Sequence, residues 1–204
     1  MPQATIDPTP KPARLALPAD YRRISECLGR AFHDDPLAEF FFPDEASRSQ
    51  RFGAFARFVM STLAPHSRYF TTDPIHGAAL WQAPSPAKSG LLTNLLLGLR
   101  MAWVAGSAFG RIASMGDATL PYHPREPHWY LAVLGTEPAA QGRGIGSELL
   151  RGTLEECDRT GTLAYLESSK ESNLPFYERH GFRVDAAFSP PGGPQLWAMT
   201  RQPA

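Results

Sequence analysis

The alternation of apolar and polar positions divides the chain into short strands and amphipathic helices. Arg14–Leu17 is a brief apolar run closed by Pro18, and Ala19–Phe32 then carries Tyr21, Ile24, Leu28 and Phe32 at helical spacing, which predicts a strand followed by a helix. His33–Glu45 holds two prolines, five acidic residues and three consecutive phenylalanines, so it reads as a loop or broken helix with an aromatic edge. Phe52, Phe55, Phe58, Val59 and Leu63 predict a helix over Arg51–Leu63 that Pro65 ends. Arg68–Thr72 and Gly77–Gln82 predict two strands in a hairpin turned at Asp73-Pro74. The proline and serine cluster Ala83–Ser89 breaks the chain before its most apolar stretch, Leu91–Phe109, and Leu120–Pro127, with three prolines, is an extended connector.

The remaining pattern is the clearest. Trp129–Leu134 reads as a strand, Ser147–Thr160 as a helix with Leu149, Leu150, Leu154 and Cys157 on one face, and Leu163–Leu166 as a strand. A helix over Leu174–His180 ends at Gly181, suited to a left-handed C-cap, and Phe182–Phe188 and Leu196–Thr200 are two strands joined by the turn Pro190–Pro194. Between a strand and a helix stands Gln141–Gly146, QGRGIG. A helix's first turn leaves backbone N–H groups unpaired and carries positive dipole charge, so anions settle there. Gly142, Gly144 and Gly146 let the backbone approach a diphosphate, and Arg143 can add charge at the rim. A dinucleotide fingerprint would place its third glycine at position 147, which is serine, and the Gly-Lys-Ser/Thr ending of a Walker A loop is absent. On these six residues alone, a tight turn without a ligand remains open.

Composition narrows the field. The chain's 204 residues, 43% hydrophobic, suffice for one core without staples, and 20 basic against 20 acidic residues give no pull towards nucleic acid or an anionic membrane. Arg100, Asn94, Gly98 and Gly106 interrupt Leu91–Phe109, which reads as a buried, interface or lid helix rather than a membrane span. Two distant cysteines, Cys27 and Cys157, suggest a reducing, cytoplasmic setting, and six histidines without HxH or HxxxH spacing give no metal site. Residues 1–12 read as a disordered tail with no signal-peptide pattern, followed by a single domain over 13–204.

The C-terminal half resembles the GNAT acetyltransferases. The family's Q/R-x-x-G-x-G/A pattern appears as Gln141, Gly144 and Gly146 after Pro138, and Asn173 with Phe176–Phe182 (FYERHGF) is similar to its N…FYxxxGF segment. Pro124–Pro127, Leu166-Glu167, Asn173–Arg179 and Trp197–Arg201 are further similar to the puromycin N-acetyltransferases, the branch acting on an aminonucleoside antibiotic, and this similarity fades before about residue 120. The resemblance implies an α/β GNAT-like fold: a mixed, mostly antiparallel sheet flanked by helices, splayed between the fourth and fifth strands near Thr136 and Glu167. It implies acetyl-coenzyme A as cosubstrate and a small-molecule primary amine as acceptor. A protein or peptide amine, or a sensor that binds acetyl-coenzyme A without transfer, stays open, as does monomer or homodimer.

Acetyl transfer needs a polarised thioester carbonyl, a proton for the departing thiolate and a neutral amine. The resemblance assigns the first to the backbone N–H of Leu134, the second to Tyr177, and coenzyme contacts to Leu134, Thr136, the loop Gln141, Gly142, Arg143, Gly144, Ile145 and Gly146, and Asn173 and Phe176. Asn173 could instead cap the following helix. Tyr130, Ala132 and Leu134 occupy alternating positions on the strand before the loop, where no histidine is available as base, so Glu167 is the candidate, against a structural use in capping Ser168 or Asn173. Asp34, Asp35, Phe40, Phe41 and Tyr130 would suit an aromatic ligand bearing an amine.

Overall fold

The computed structural model describes residues 12–62, 67–84 and 91–204, with side chains in the last segment from 98 onward. The expected tail, apart from Pro12, lies outside the described residues, as do Pro65 and most of Ala83–Ser89. The elements run β1 (Arg14–Leu15), α1 (Tyr21–Ala31), α2 (Pro36–Phe41), α3 (Glu45–Thr62), β2 (Arg68–Thr71), β3 (Gly77–Gln82), α4 (Leu91–Ala105) and α5 (Phe109–Thr119). They continue as β4 (His128–Thr136), α6 (Ile145–Thr160), β5 (Leu163–Ser168), α7 (Leu174–Arg179), β6 (Arg183–Phe188) and β7 (Leu196–Arg201).

The strands form one sheet in the order β1-β2-β3-β4-β5-β7-β6. Neighbours are antiparallel except β4 and β5, which run parallel. The mixed, mostly antiparallel α/β architecture is the expected one. Helices cover both faces because β3 is buried on both: Ala79 and Trp81 pack with Leu149, Leu150 and Cys157 of α6, while Ala78 and Leu80 pack with Ile24 and Leu28 of α1 and Met60 of α3. Helices α1 and α3 come close because Gly29 and Gly53 sit at their crossing, where a side-chain carbon on Gly53 would meet the Ser25 carbonyl at 2.7 Å.

Two elements depart from the pattern-based reading. The helix expected over Leu91–Phe109 stops at Ala105, where Gly106, at φ +54°, turns the chain, and α5 follows as a second helix. Helix α5 carries Gly110 and Gly116, poor helix formers, so its own pattern is faint. It folds by packing Ile112 and Met115 on the phenylalanine cluster of Phe41, Phe42 and Phe52. The loop or broken helix at His33–Glu45 contains α2, started by Asp35, whose Oδ1 accepts from the N–H groups of Leu37 (2.9 Å) and Ala38 (3.4 Å). Among the described residues no helix is long and apolar enough to cross a membrane.

Strand β4 has an irregularity that matters for the site. Leu80 pairs with Val133 but Trp81 pairs with Leu131, so Ala132 is the extra residue of a bulge. Leu131 packs on the α6 side, Ala132 and Val133 on the α1 side, and Leu134 on the α6 side again. The strict alternation expected for Tyr130, Ala132 and Leu134 therefore fails: Leu134 packs on the sheet face opposite Ala132, because the bulge shifts the side-chain period by one.

Candidate active site

The parallel pair β4–β5 is laddered only from His128↔Leu163 through Trp129↔Ala164 to Tyr130↔Tyr165. Beyond Tyr130 the strands part, leaving facing backbone edges unpaired with each other. A cleft of about 740 Å³ fills this gap and runs from Gln141 at one end to Met115 at the other. Its walls differ along that length.

At one end stands the glycine loop. Gly144, at φ +78°, is the N-cap of the 16-residue helix α6, with no side chain capping its first N–H groups. That helix start is directed at the cleft, and Gly142, at φ +74°, keeps the loop backbone bare, since a side-chain carbon there would meet nothing within 4 Å. The residues present thus fit a bound diphosphate. Gln141 donates its amide to the Thr136 carbonyl (3.3 Å), tying the loop to the end of β4, and Gly146 leaves space for the Phe176 ring, which a side-chain carbon would approach to 3.0 Å. Leu134, Thr136, Ile145 and Phe176 also line the cleft, whereas Arg143 lies outside its wall. Arg179 is part of that wall, and so is Ser147, whose hydroxyl is 2.9 Å from His180 Nε2. Neither was singled out by the sequence reading.

Titratable and polar groups also line the cleft. Tyr177, on α7, is 8% exposed, and burial, then the nearby Asp35 charge, pushes its phenol above the ordinary range. Asn173 faces the cleft just before α7 without its side chain capping that helix. Glu167 enters from β5 with a side chain only 4% exposed, and its Oε1 has no hydrogen-bond partner among the described residues. Its rival use as a structural cap is not realised, since Ser168 donates instead to the Lys170 carbonyl (3.0 Å). Tyr130 and Tyr165 flank Glu167, and burial first, then the Glu167 charge, raises both phenols, so both stay protonated.

At the other end the wall is apolar: Phe32 beside α1, Phe41 of α2, Phe52 and Phe55 of α3, and Ile112 and Met115 of α5. Phe32 stacks on Phe52 with centroids 4.3 Å apart. Of the residues expected to meet an acceptor, Asp35, Phe41 and Tyr130 line the cleft, while Asp34 and Phe40 do not. The two aspartates act as struts. Ser169 donates to Asp35 Oδ2 (2.7 Å) and Lys170 to Asp34 Oδ1 (2.9 Å), fastening α2 to the end of β5. Burial raises the Asp35 carboxyl, opposed by the Ser169, Leu37 and Ala38 bonds.

Sequence reading missed His123. It lies in the connector before β4, with its ring 4.9 Å from Tyr130 and 4.5 Å from Tyr165, and Nε2 3.3 Å from Glu167 Oε1. No spacing signal marks it, because its partner is 44 positions away in sequence.

The acetyltransferase (GNAT) domain family matches residues 100–184. An uncharacterised N-acetyltransferase of Schizosaccharomyces pombe is 25% identical over 174 residues, covering 80% of this chain and 70% of that protein. The structure of a histone acetyltransferase HPA2 and related acetyltransferase from Corynebacterium glutamicum is 25% identical with a TM-score of 0.72, over 96% of this chain and 97% of that one. Arylalkylamine N-acetyltransferase 2 from Aedes aegypti, 13% identical with a TM-score of 0.63, covers 93% of this chain and 97% of its own and shares the fold.

Proposed function

We propose that the chain, whose residues 100–184 match the acetyltransferase (GNAT) domain family, acetylates the primary amine of a small molecule with an apolar body, using acetyl-coenzyme A. One observation carries this reading: a single cleft is lined by a helix N-terminus suited to a diphosphate, by aromatic and aliphatic side chains, and by Tyr177 and Glu167. The reaction centre would lie where β4 and β5 part.

In this reading Gly142 to Gly146 and the start of α6 hold the diphosphate, Asn173 hydrogen-bonds the coenzyme arm, and the Leu134 backbone N–H polarises the thioester carbonyl. Glu167 takes a proton from the ammonium group, the neutral amine nitrogen forms its bond to the carbonyl carbon, the carbon–sulfur bond breaks as Tyr177 passes its phenol proton to the departing sulfur, and the second proton lost from the acylated nitrogen restores the Tyr177 phenol. Replacing Gly144 with alanine, at a φ that costs an L side chain about 1–2 kcal/mol, is expected to weaken coenzyme A binding by roughly tenfold. Calorimetry checks this, and an unchanged Kd removes the loop from the binding role.

The apolar end supports the acceptor class. Removing about 100–150 Å² of acceptor surface from water there is worth roughly 3 kcal/mol, about two orders of magnitude in affinity. Puromycin and other aminonucleosides or arylalkylamines should therefore release free thiol from acetyl-coenzyme A with kcat/KM at least about tenfold above polyamines and aminoglycosides. A preference for polyamines, or a blank across all four classes, overturns the reading. Helix α5, which places Ile112 and Met115 in the cleft wall, favours a small acceptor over a protein amine. The reading extends to a single cytoplasmic domain over 13–204.

A further inference from the structure

We propose that His123 and His128 form a two-imidazole path by which the proton taken up by Glu167 leaves the cleft for solvent. The proposal rests on the reading of Glu167 as the base, and both histidines act through it as positioning residues that also hold a proton. The path is drawn by hydrogen-bonding chemistry. His128 Nδ1 is 2.8 Å from the Glu126 carbonyl, which only accepts, so that nitrogen carries the hydrogen and Nε2 of the neutral ring is an acceptor. His123 Nδ1, 3.3 Å from His128 Nε2, must then donate, which leaves the His123 Nε2 lone pair facing Glu167 Oε1 at 3.3 Å.

A lone pair against a carboxylate is repulsive until a proton stands between them. The Oε1 atom is buried and has no hydrogen-bond partner among the described residues, so this contact tightens when Glu167 takes up a proton. Alternative exits are poor. The Glu167 side chain is only 4% exposed, and the buried Tyr165 hydroxyl beside it has no hydrogen-bond partner among the described residues to hand a proton to. The His123 side chain, at 27%, and the half-buried His128 lead towards the exposed Glu126 and Pro127.

The steps balance for one proton. The amine N–H bond breaks as the Glu167 O–H bond forms, and that proton passes to His123 Nε2. The Nδ1 proton of His123 passes to His128 Nε2, and the Nδ1 proton of His128 passes to water beside Glu126. Exchange with water at the partly exposed ring edges returns both rings to their starting tautomers.

Two measurements test the path. In the resting full-length protein, ¹⁵N-detected imidazole NMR is expected to find both neutral rings protonated at Nδ1, and a hydrogen on Nε2 of neutral His123 overturns the proposal. In turnover, His123→Gln, which keeps hydrogen-bonding groups but cannot relay, should lower kcat about ten- to hundredfold with the coenzyme KM unchanged, and added imidazole should restore part of the rate of His123→Ala. Full kcat in His123→Gln, or loss in both variants without rescue, sinks the relay. If Glu167→Gln is inactive while His123→Gln is fully active, the base reading survives and only the relay fails. If Glu167→Gln is fully active, the base reading itself falls and takes the relay with it.

Discussion

Tyr177→Phe is expected to lower kcat for thiol release by about 10²- to 10³-fold while the affinity for coenzyme A stays nearly unchanged. The substitution removes one oxygen and keeps the ring, which packs edge-on against Phe176 at 5.1 Å and Phe182 at 6.0 Å, so α7 and the Gly146–Phe176 contact beside the glycine loop should persist. The loss should fall on a step that uses the phenol proton, not on binding. The sign of the pH dependence follows from the same environment. Burial first, and the Asp35 charge second, raise the phenol above its ordinary value near ~10, so the donor form persists through the neutral range. Any fall in wild-type rate between about pH 7 and 9 therefore belongs to another group. An unchanged kcat in Tyr177→Phe removes the residue from the donor role.

Glu167→Gln should produce the other large effect, a drop in kcat/KM of about 10²–10⁴-fold at neutral pH. Glutamine keeps the shape and removes the charge, and the variant depends on amine already neutral in solution. Its rate should therefore rise about tenfold per pH unit below the acceptor amine's own pKa. Folding should move the opposite way. A carboxylate with a side chain 4% exposed and one oxygen without a hydrogen bond is costly to bury, so the amide variant should melt at the same temperature as wild type or higher. A variant that is both inactive and markedly less stable would indicate a structural role for Glu167.

The loop from Gln141 to Gly146 is readable because its shape depends on local backbone geometry, and a glycine between a strand and a helix states that geometry directly. Asp35 carries a local signal of its own. An aspartate followed by proline is an N-cap with proline at the first helical position, and α2 starts there. Asp34 and Asp35 also tie α2 to Lys170 and Ser169, and Asp35 lines the cleft as well. Helix α5 was missed because its glycines weaken the helical pattern and its stability comes from Ile112 and Met115 meeting phenylalanines more than 50 positions away.

The sequence by itself determined the order of strands and helices from Trp129 onward, the glycine loop that starts α6 and the placement of Tyr177 on a short helix after Asn173. Each rests on periodicity, a cap or a glycine, forces that act within a few residues. Only the tertiary structure decided what faces what. The Ala132 bulge moves Leu134 to the opposite face, the parting of β4 from β5 opens the cleft, and α5 closes its apolar end. The meeting of Glu167 with His123 belongs to the same class. These outcomes depend on register and on contacts between distant segments, where a one-residue shift in a strand reverses every side chain and no local pattern records the choice.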